Sequence, residues 1–138
     1  VLKVIKHIQQ LQYENEKEKK ENREAVPPEL ILVVRGAPIL TDATMEDAKD
    51  LEMETIADQI ITTGSNAIGI ILNEAPPETL AAMEEATLII SKGMANFESL
   101  SDEKFVRPIA FLLRTKCEAV AEALGIEAGK SVAKLEIE

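Results

Sequence analysis

Leu30-Ile31-Leu32-Val33-Val34 runs directly into Arg35-Gly36-Ala37-Pro38-Ile39-Leu40-Thr41-Asp42-Ala43-Thr44-Met45-Glu46-Asp47. The first five residues are apolar on both faces, as a buried parallel strand requires. Gly36 and Pro38 stop that strand. Thr41 or Thr44 can cap a helix starting near Met45, with Glu46 and Asp47 in its first turn, where the helix dipole favours acidic groups. Asp42 then sits between the carboxyl end of a strand and the start of a helix, the place where open α/β sheets bind ligands. Two readings follow for it. It holds a metal, whose charge keeps the carboxylate ionised in a cleft, or it only closes the turn.

Outward from this stretch the same alternation recurs. Upstream, Val1, Leu2, Val4, Ile5, Ile8 and Leu11 have helical spacing, and His7 falls among polar positions and reads as surface. A mixed-charge run from Glu14 to Glu24 follows, without an apolar face. It reads as a solvated helix extension or a mobile loop, ended by Pro27-Pro28. Downstream, Gln59 to Gly64, Thr87 to Ser91 and Ile109 to Leu113 read as strands. Helices are expected over Met45 to Met53, from Pro76-Pro77-Glu78 to about Ala86, and over Cys117 to Leu124, where Gly125 stops the helix. Lys92 to Glu98 reads as a loop, Ala67 to Leu72 is undetermined, and Ser131 to Ile137 suggests a final edge strand. Residues 1–138 are therefore expected to form one α/β domain, a three-layer α/β/α sandwich around a mostly parallel, Rossmann-like sheet.

Composition narrows the function classes. The net charge of −10 disfavours a nucleic-acid backbone as partner. Aromatic residues are 3% of the chain, with no Trp, which disfavours stacking on bases or sugar rings. The lone Cys117 makes no internal disulfide and reads as a small core residue ahead of an amphipathic helix; a nucleophilic role is the other reading. One histidine, His7, leaves no His-based zinc site, so any divalent ion here must use oxygen ligands, which favours magnesium or manganese. Neither a membrane-spanning run nor a signal peptide is visible, and a cytoplasmic location is the default expectation.

Polar residues gather at the expected strand ends: Arg35 and Asp42 after the first, Gly64-Ser65-Asn66 after the second, Lys92, Asn96 and Glu98 after the third, Arg114 and Lys116 after the fourth. In a parallel sheet these ends share one edge. Oxygen ligands with Lys and Arg suit a metal-assisted phosphate site. Each short stretch also has a plain reading, Lys92-Gly93 as a turn and Lys116 as a solvated first-turn residue.

Arg35 to Thr44, Lys92-Gly93-Met94-Ala95-Asn96-Phe97-Glu98 and Leu112-Leu113-Arg114-Thr115-Lys116-Cys117, in that order, resemble three motifs of the damage-control phosphatases, formerly the domain-of-unknown-function-89 family. The resemblance covers nearly the whole chain from Leu30 and looks closest to small archaeal members. It implies a metal-dependent phosphatase acting on small phosphate esters, such as sugar phosphates or damaged phospho-metabolites, with Mn, Mg, Co or Ni as the ion. It makes Asp42 a catalytic metal ligand and Lys116 a catalytic phosphate clamp. Arg35, Lys92, Asn96, Glu98 and Arg114 become substrate-binding, with Asn96 and Glu98 positioning substrate or water.

Two departures bear on that reading. Thr41 stands where the family often has Asn. The family's upstream Asp-Asn-x-Gly-Glu motif has no match in Val1 to Glu29, and the first helix resembles the one that follows that motif. The chain is therefore expected to be the carboxyl-terminal part of a larger phosphatase domain, lacking two of three metal ligands, and to self-associate or bind a complementing chain. A non-catalytic module that binds a ligand or partner on the same fold is the alternative. A small-molecule methyltransferase is the weaker one, since no glycine-rich cofactor loop follows the first strand.

Overall fold

The computed structural model describes residues 2–19, 28–105 and 107–137. Val1, Pro27 and the part of the charged run from Lys20 to Glu24 lie outside the described residues. The chain divides into two compact units, residues 1–62 and 63–138. No helix among the described residues is long and apolar enough to cross a membrane.

The first unit contains α1 (Leu2–Lys19), β1 (Ile31–Val34), α2 (Met45–Asp50) and β2 (Gln59–Thr62). The helical spacing of the first residues is borne out, and the helix continues into the charged run as far as Lys19. β1 and β2 pair in parallel, from Ile31 opposite Gln59 to Val34 opposite Thr62. A parallel pair needs a crossover, and α2 supplies it. Thr44 is the cap. Its hydroxyl accepts from the Asp47 backbone N–H while the Asp47 carboxylate accepts from the Thr44 backbone N–H, a reciprocal box. The expected helix to Met53 stops earlier: Glu52 turns left-handed at φ 51° and a single 3-10 turn, Met53–Thr55, leads on towards β2. Among the described residues of this unit, Leu30, Val34, Ala48, Ala57 and Ile61 are the buried apolar side chains.

Asp58 ties the two strand starts to α1. Its Oδ2 accepts from the Leu30 backbone N–H at 2.8 Å and pairs with the Lys6 ammonium, while its own N–H donates to the Leu30 carbonyl at 2.8 Å.

The second unit contains α3 (Pro77–Glu85), β3 (Ile89–Lys92), α4 (Met94–Leu100), β4 (Ile109–Arg114), α5 (Glu118–Ala123) and β5 (Ser131–Glu136). β3 pairs in parallel with β4, and β5 runs antiparallel along the other side of β4. The expected final edge strand is therefore present. The pairing among described residues gives one two-stranded and one three-stranded sheet, so parallel pairs dominate but a single continuous sheet is not formed by these ladders. Ile109, Phe111 and Leu113 alternate into the core, where Phe111 meets Phe97 edge to face with ring centroids 5.1 Å apart.

One expectation is corrected here. Lys92 to Glu98 is not a loop: α4 begins at Met94, immediately after a single glycine. Phe97 and Leu100, three residues apart, both bury against β4, and that packing outweighs the loop-like composition. Gly93, at φ 99°, makes the strand-to-helix turn in one residue, a conformation that other residues rarely adopt.

Asp58 also gives the first unit a pH dependence. The Lys6 bond, followed by the Leu30 N–H, holds its carboxyl below the usual carboxylate range. A lowered folded pKa contributes stability above the unfolded value and loses it as pH falls through the folded value. Thermal melting should therefore show stability falling below about pH 4, and Asp58→Asn should flatten part of that fall while lowering stability at neutral pH. The group is largely solvent-exposed, so the effect is small, and Asp47, lowered by Thr44, adds to it. An Asp58→Asn profile that overlays the wild type would remove this assignment.

Candidate functional site

The expected site residues fall in both units: Arg35 and Asp42 in the first, Lys92, Asn96, Glu98, Arg114 and Lys116 in the second.

In the first unit the chain leaves β1 at Arg35 and loops back. The Arg35 backbone N–H donates to the Ala43 carbonyl at 2.9 Å, and Arg35 bridges Thr44 in the parallel sense. The Asp42 N–H donates to Ile39 at 3.1 Å, closing the tip around Leu40, which is left-handed at φ 47°. Arg35 is 7% exposed. A buried guanidinium is costly unless a carboxylate and hydrogen bonds satisfy it. Asp42 provides that carboxylate: Arg35 Nε donates to Asp42 Oδ2 at 2.8 Å. The two residues that sequence reasoning gave to substrate and metal are thus partners of each other. The signal for this in the sequence is an Arg and an Asp bracketing a turn that holds Gly36 and Pro38.

In the second unit the parallel β3–β4 pair brings two expected segments to one edge. Lys92 lies opposite Leu112, and the Gly93 N–H donates to the Leu112 carbonyl at 2.9 Å. Met94 Sδ and Cys117 Sγ lie 4.0 Å apart, so the start of α4 touches the residue that precedes α5. Asn96 Nδ2 donates to the Lys92 carbonyl at 2.8 Å, holding the first turn of α4 onto the end of β3. Lys92, Glu98, Arg114 and Lys116 are exposed. Cys117 is half-buried against the core, as its core reading expects.

Two fixtures of this edge were not anticipated. Gly69, at φ 81°, lies so close to α4 that an added Cβ would stand 2.5 Å from Ser99 Oγ and 2.6 Å from the Ala95 carbonyl. The Ile70 N–H donates to that Ser99 hydroxyl at 3.0 Å. Thr115, between exposed Arg114 and exposed Lys116, is 1% exposed. Its hydroxyl accepts from the Lys130 N–H at 3.0 Å and faces the Glu127 and Lys130 carbonyls at 3.2 Å. Its backbone N–H donates to Lys130 and its carbonyl accepts from Gly129. Thr115 therefore clamps the end of β4 to the loop before β5.

Among the described residues no three His, Cys, Asp or Glu side chains gather as an ion would require. Asp42, with 40% of its side chain exposed, has one oxygen already on a guanidinium.

Parallel pairs that end in loops and short helices, with cations after the strands, define an α/β protein with its polar residues on the carboxyl edges of its strands. The chain belongs to the damage-control phosphatase ARMT1-like domain family, whose profile matches residues 22–132. It is 55% identical over 106 residues to a damage-control phosphatase of Archaeoglobus fulgidus, covering 77% of this chain and 36% of that protein. It is 38% identical over 110 residues to a damage-control phosphatase of Pyrococcus horikoshii, covering 80% of this chain and 38% of that protein. The crystal structure of a DUF89 family protein from Pyrococcus horikoshii superposes with a TM-score of 0.73 at 38% identity, over 80% of this chain and 38% of that one. The chain thus spans little more than a third of the length of these relatives.

The clamp is open to a direct test. Thr115→Val should cost roughly 0.5–1.5 kcal/mol in chemical denaturation, because the Lys130 N–H loses its part-buried acceptor. Thr115→Ser, which keeps the hydroxyl, should cost less. Equal losses would mean that the methyl group and not the hydroxyl holds the loop.

Proposed function

We propose that this chain carries the phosphate-ester-handling part of a metal-dependent damage-control phosphatase. The observation that supports this reading is the match of the family profile to residues 22–132, a stretch that includes the edge where the segments of Asn96 and Lys116 adjoin. In this reading Lys116 is the phosphate clamp. A lysine ammonium on a flexible stem suits a phosphoryl oxygen as a point charge. Lys92 and Arg114 add positive charge at the ends of β3 and β4, and Asn96 and Glu98 orient substrate or water from α4. Arg35 binds substrate, and Asp42 contributes one oxygen to the ion. The substrates are small phosphate esters, such as sugar phosphates or damaged phospho-metabolites. The three-layer α/β/α arrangement is part of the same proposal.

The metal is the weakest-supplied element of this reading. One carboxylate, already neutralised by Arg35, does not hold a divalent ion by itself, so further oxygen ligands must come from another segment or another chain. Calorimetric titration of this chain with manganese should accordingly give an affinity no better than roughly millimolar, the weak end of oxygen-ligand sites. A micromolar site abolished by Asp42→Ala would show that other residues of this chain complete it.

The second reading is a binding module without turnover, favoured by the Arg35–Asp42 pair, in which each group's charge is answered within the chain. Activity separates the two. The chain alone should show little or no hydrolysis of p-nitrophenyl phosphate with manganese, cobalt or nickel. Hydrolysis should appear when a polypeptide carrying the Asp-Asn-x-Gly-Glu motif is supplied, and Asp42→Asn should then remove it with the fold intact by circular dichroism. Metal-dependent turnover by the chain alone would overturn the incomplete-site account. An inactive completed protein would put the binding module first.

A further inference from the structure

Lys116 stands between two anchored neighbours. Thr115 on one side is fully buried, and Cys117 on the other is half-buried against the core of the second unit. The Cys117 carbonyl accepts from the Ala121 N–H at 3.3 Å, where α5 begins. The Thr115 carbonyl accepts from the Gly129 N–H at 2.8 Å. A peptide group is planar from one Cα to the next, so this bond orients the plane that ends at the Lys116 Cα. Lys130 fixes the other end of that plane. Its N–H donates to the Thr115 hydroxyl at 3.0 Å, and its carbonyl accepts from the Thr115 N–H at 2.9 Å. Gly129 takes φ 83°, which favours glycine, although a Cβ there would meet nothing within 4 Å.

We propose that Thr115 is a positioning residue for Lys116: through Gly129 and Lys130 it holds the backbone from which the phosphate clamp extends. The proposal rests on the phosphatase reading and gives that site a support drawn from residues 127–130. Its physical content is an entropy. A backbone segment left to move must be ordered when an anion binds, and that ordering weakens binding. A segment already fixed by the fold has met the cost in folding. Only the side-chain torsions of Lys116 are then left to order. The hydroxyl is the part of Thr115 that a valine of similar shape cannot supply, because it accepts the Lys130 N–H.

Titration of the chain with inorganic phosphate at constant ionic strength, followed by NMR at the amide groups of residues 114–117, tests this. The wild type should show a saturable shift in the millimolar range, and Lys116→Gln should lose it. Thr115→Val should weaken phosphate by about fivefold, and Thr115→Ser by no more than about twofold. Gly129→Ala strains the backbone without meeting a neighbour, so it should weaken phosphate as well, and it takes the place of Thr115→Val if that variant does not fold. A residue that serves stability alone would lower the denaturation midpoint and leave the phosphate affinity of the folded chain unchanged. That result, with Lys116→Gln still losing phosphate, would overturn the proposal and leave the clamp standing. Equal weakening by Thr115→Ser and Thr115→Val would overturn the part given to the hydroxyl. Phosphate binding by Lys116→Gln as tight as wild type, or a wild type without a saturable shift, would overturn the clamp itself and the proposal with it.

Discussion

Parallel strand pairing is the constraint on which both units depend. A strand cannot fold straight back onto a parallel neighbour, so the chain must leave at the carboxyl end and return through a crossover. Residues 35–58 do this between β1 and β2, and residues 93–108 between β3 and β4. The consequence reaches from topology to chemistry. Each of these crossovers begins at a strand end, and Arg35, Asp42, Lys92 and Asn96 stand on or beside the two exits, while Arg114 and Lys116 stand where β4 turns towards the antiparallel β5. The strands themselves, four to six residues long, bring few side chains to a core. The crossover helices make up the difference, most clearly where Phe97 of α4 meets Phe111 of β4.

The exit after β1 shows how a charge can shape a loop. Burying Arg35 without a partner would cost several kcal/mol. Folding residues 36–43 back to place Asp42 on the guanidinium offsets that cost, and the bonds Arg35 N–H to Ala43 and Asp42 N–H to Ile39 fix the path. The loop therefore has a structural reason for its aspartate whether or not an ion ever binds there. A ligand role for Asp42 must coexist with the guanidinium, and removing Asp42 would leave Arg35 buried without that counter-ion.

Strand and helix order was legible because periodicity and punctuation agreed. Leu30 to Val34 is apolar throughout, Thr44 precedes an acidic first turn, and Pro77 opens α3, each a local signal with a local cause. Lys92 to Glu98 was misread because its helix has only two buried positions, Phe97 and Leu100, and owes its form to contact with β4. The Arg35–Asp42 bond, the Thr115 clamp and the approach of Gly69 to α4 had no counterpart in spacing. Each depends on which residues meet after the chain has turned back on itself. The motif resemblance reached the family correctly because it rested on three segments in order, whereas composition and periodicity reached only an acidic α/β domain.

Thr115 and Lys116 show how position and charge are divided between neighbours. A lysine reaches its target through four flexible carbons, and holding those carbons in one rotamer costs entropy. What the scaffold can hold at little further cost is the backbone from which the lysine starts. At that point the hydroxyl, N–H and carbonyl of Thr115 are all engaged by residues 127–130, with the side chain dry. Arg114 on one side and Lys116 on the other remain exposed. An alternation of exposed cation, buried anchor and exposed cation fixes where both charges originate and leaves their ends in solvent. Such an edge tolerates variation in the cation's side chain better than loss of the anchor between them.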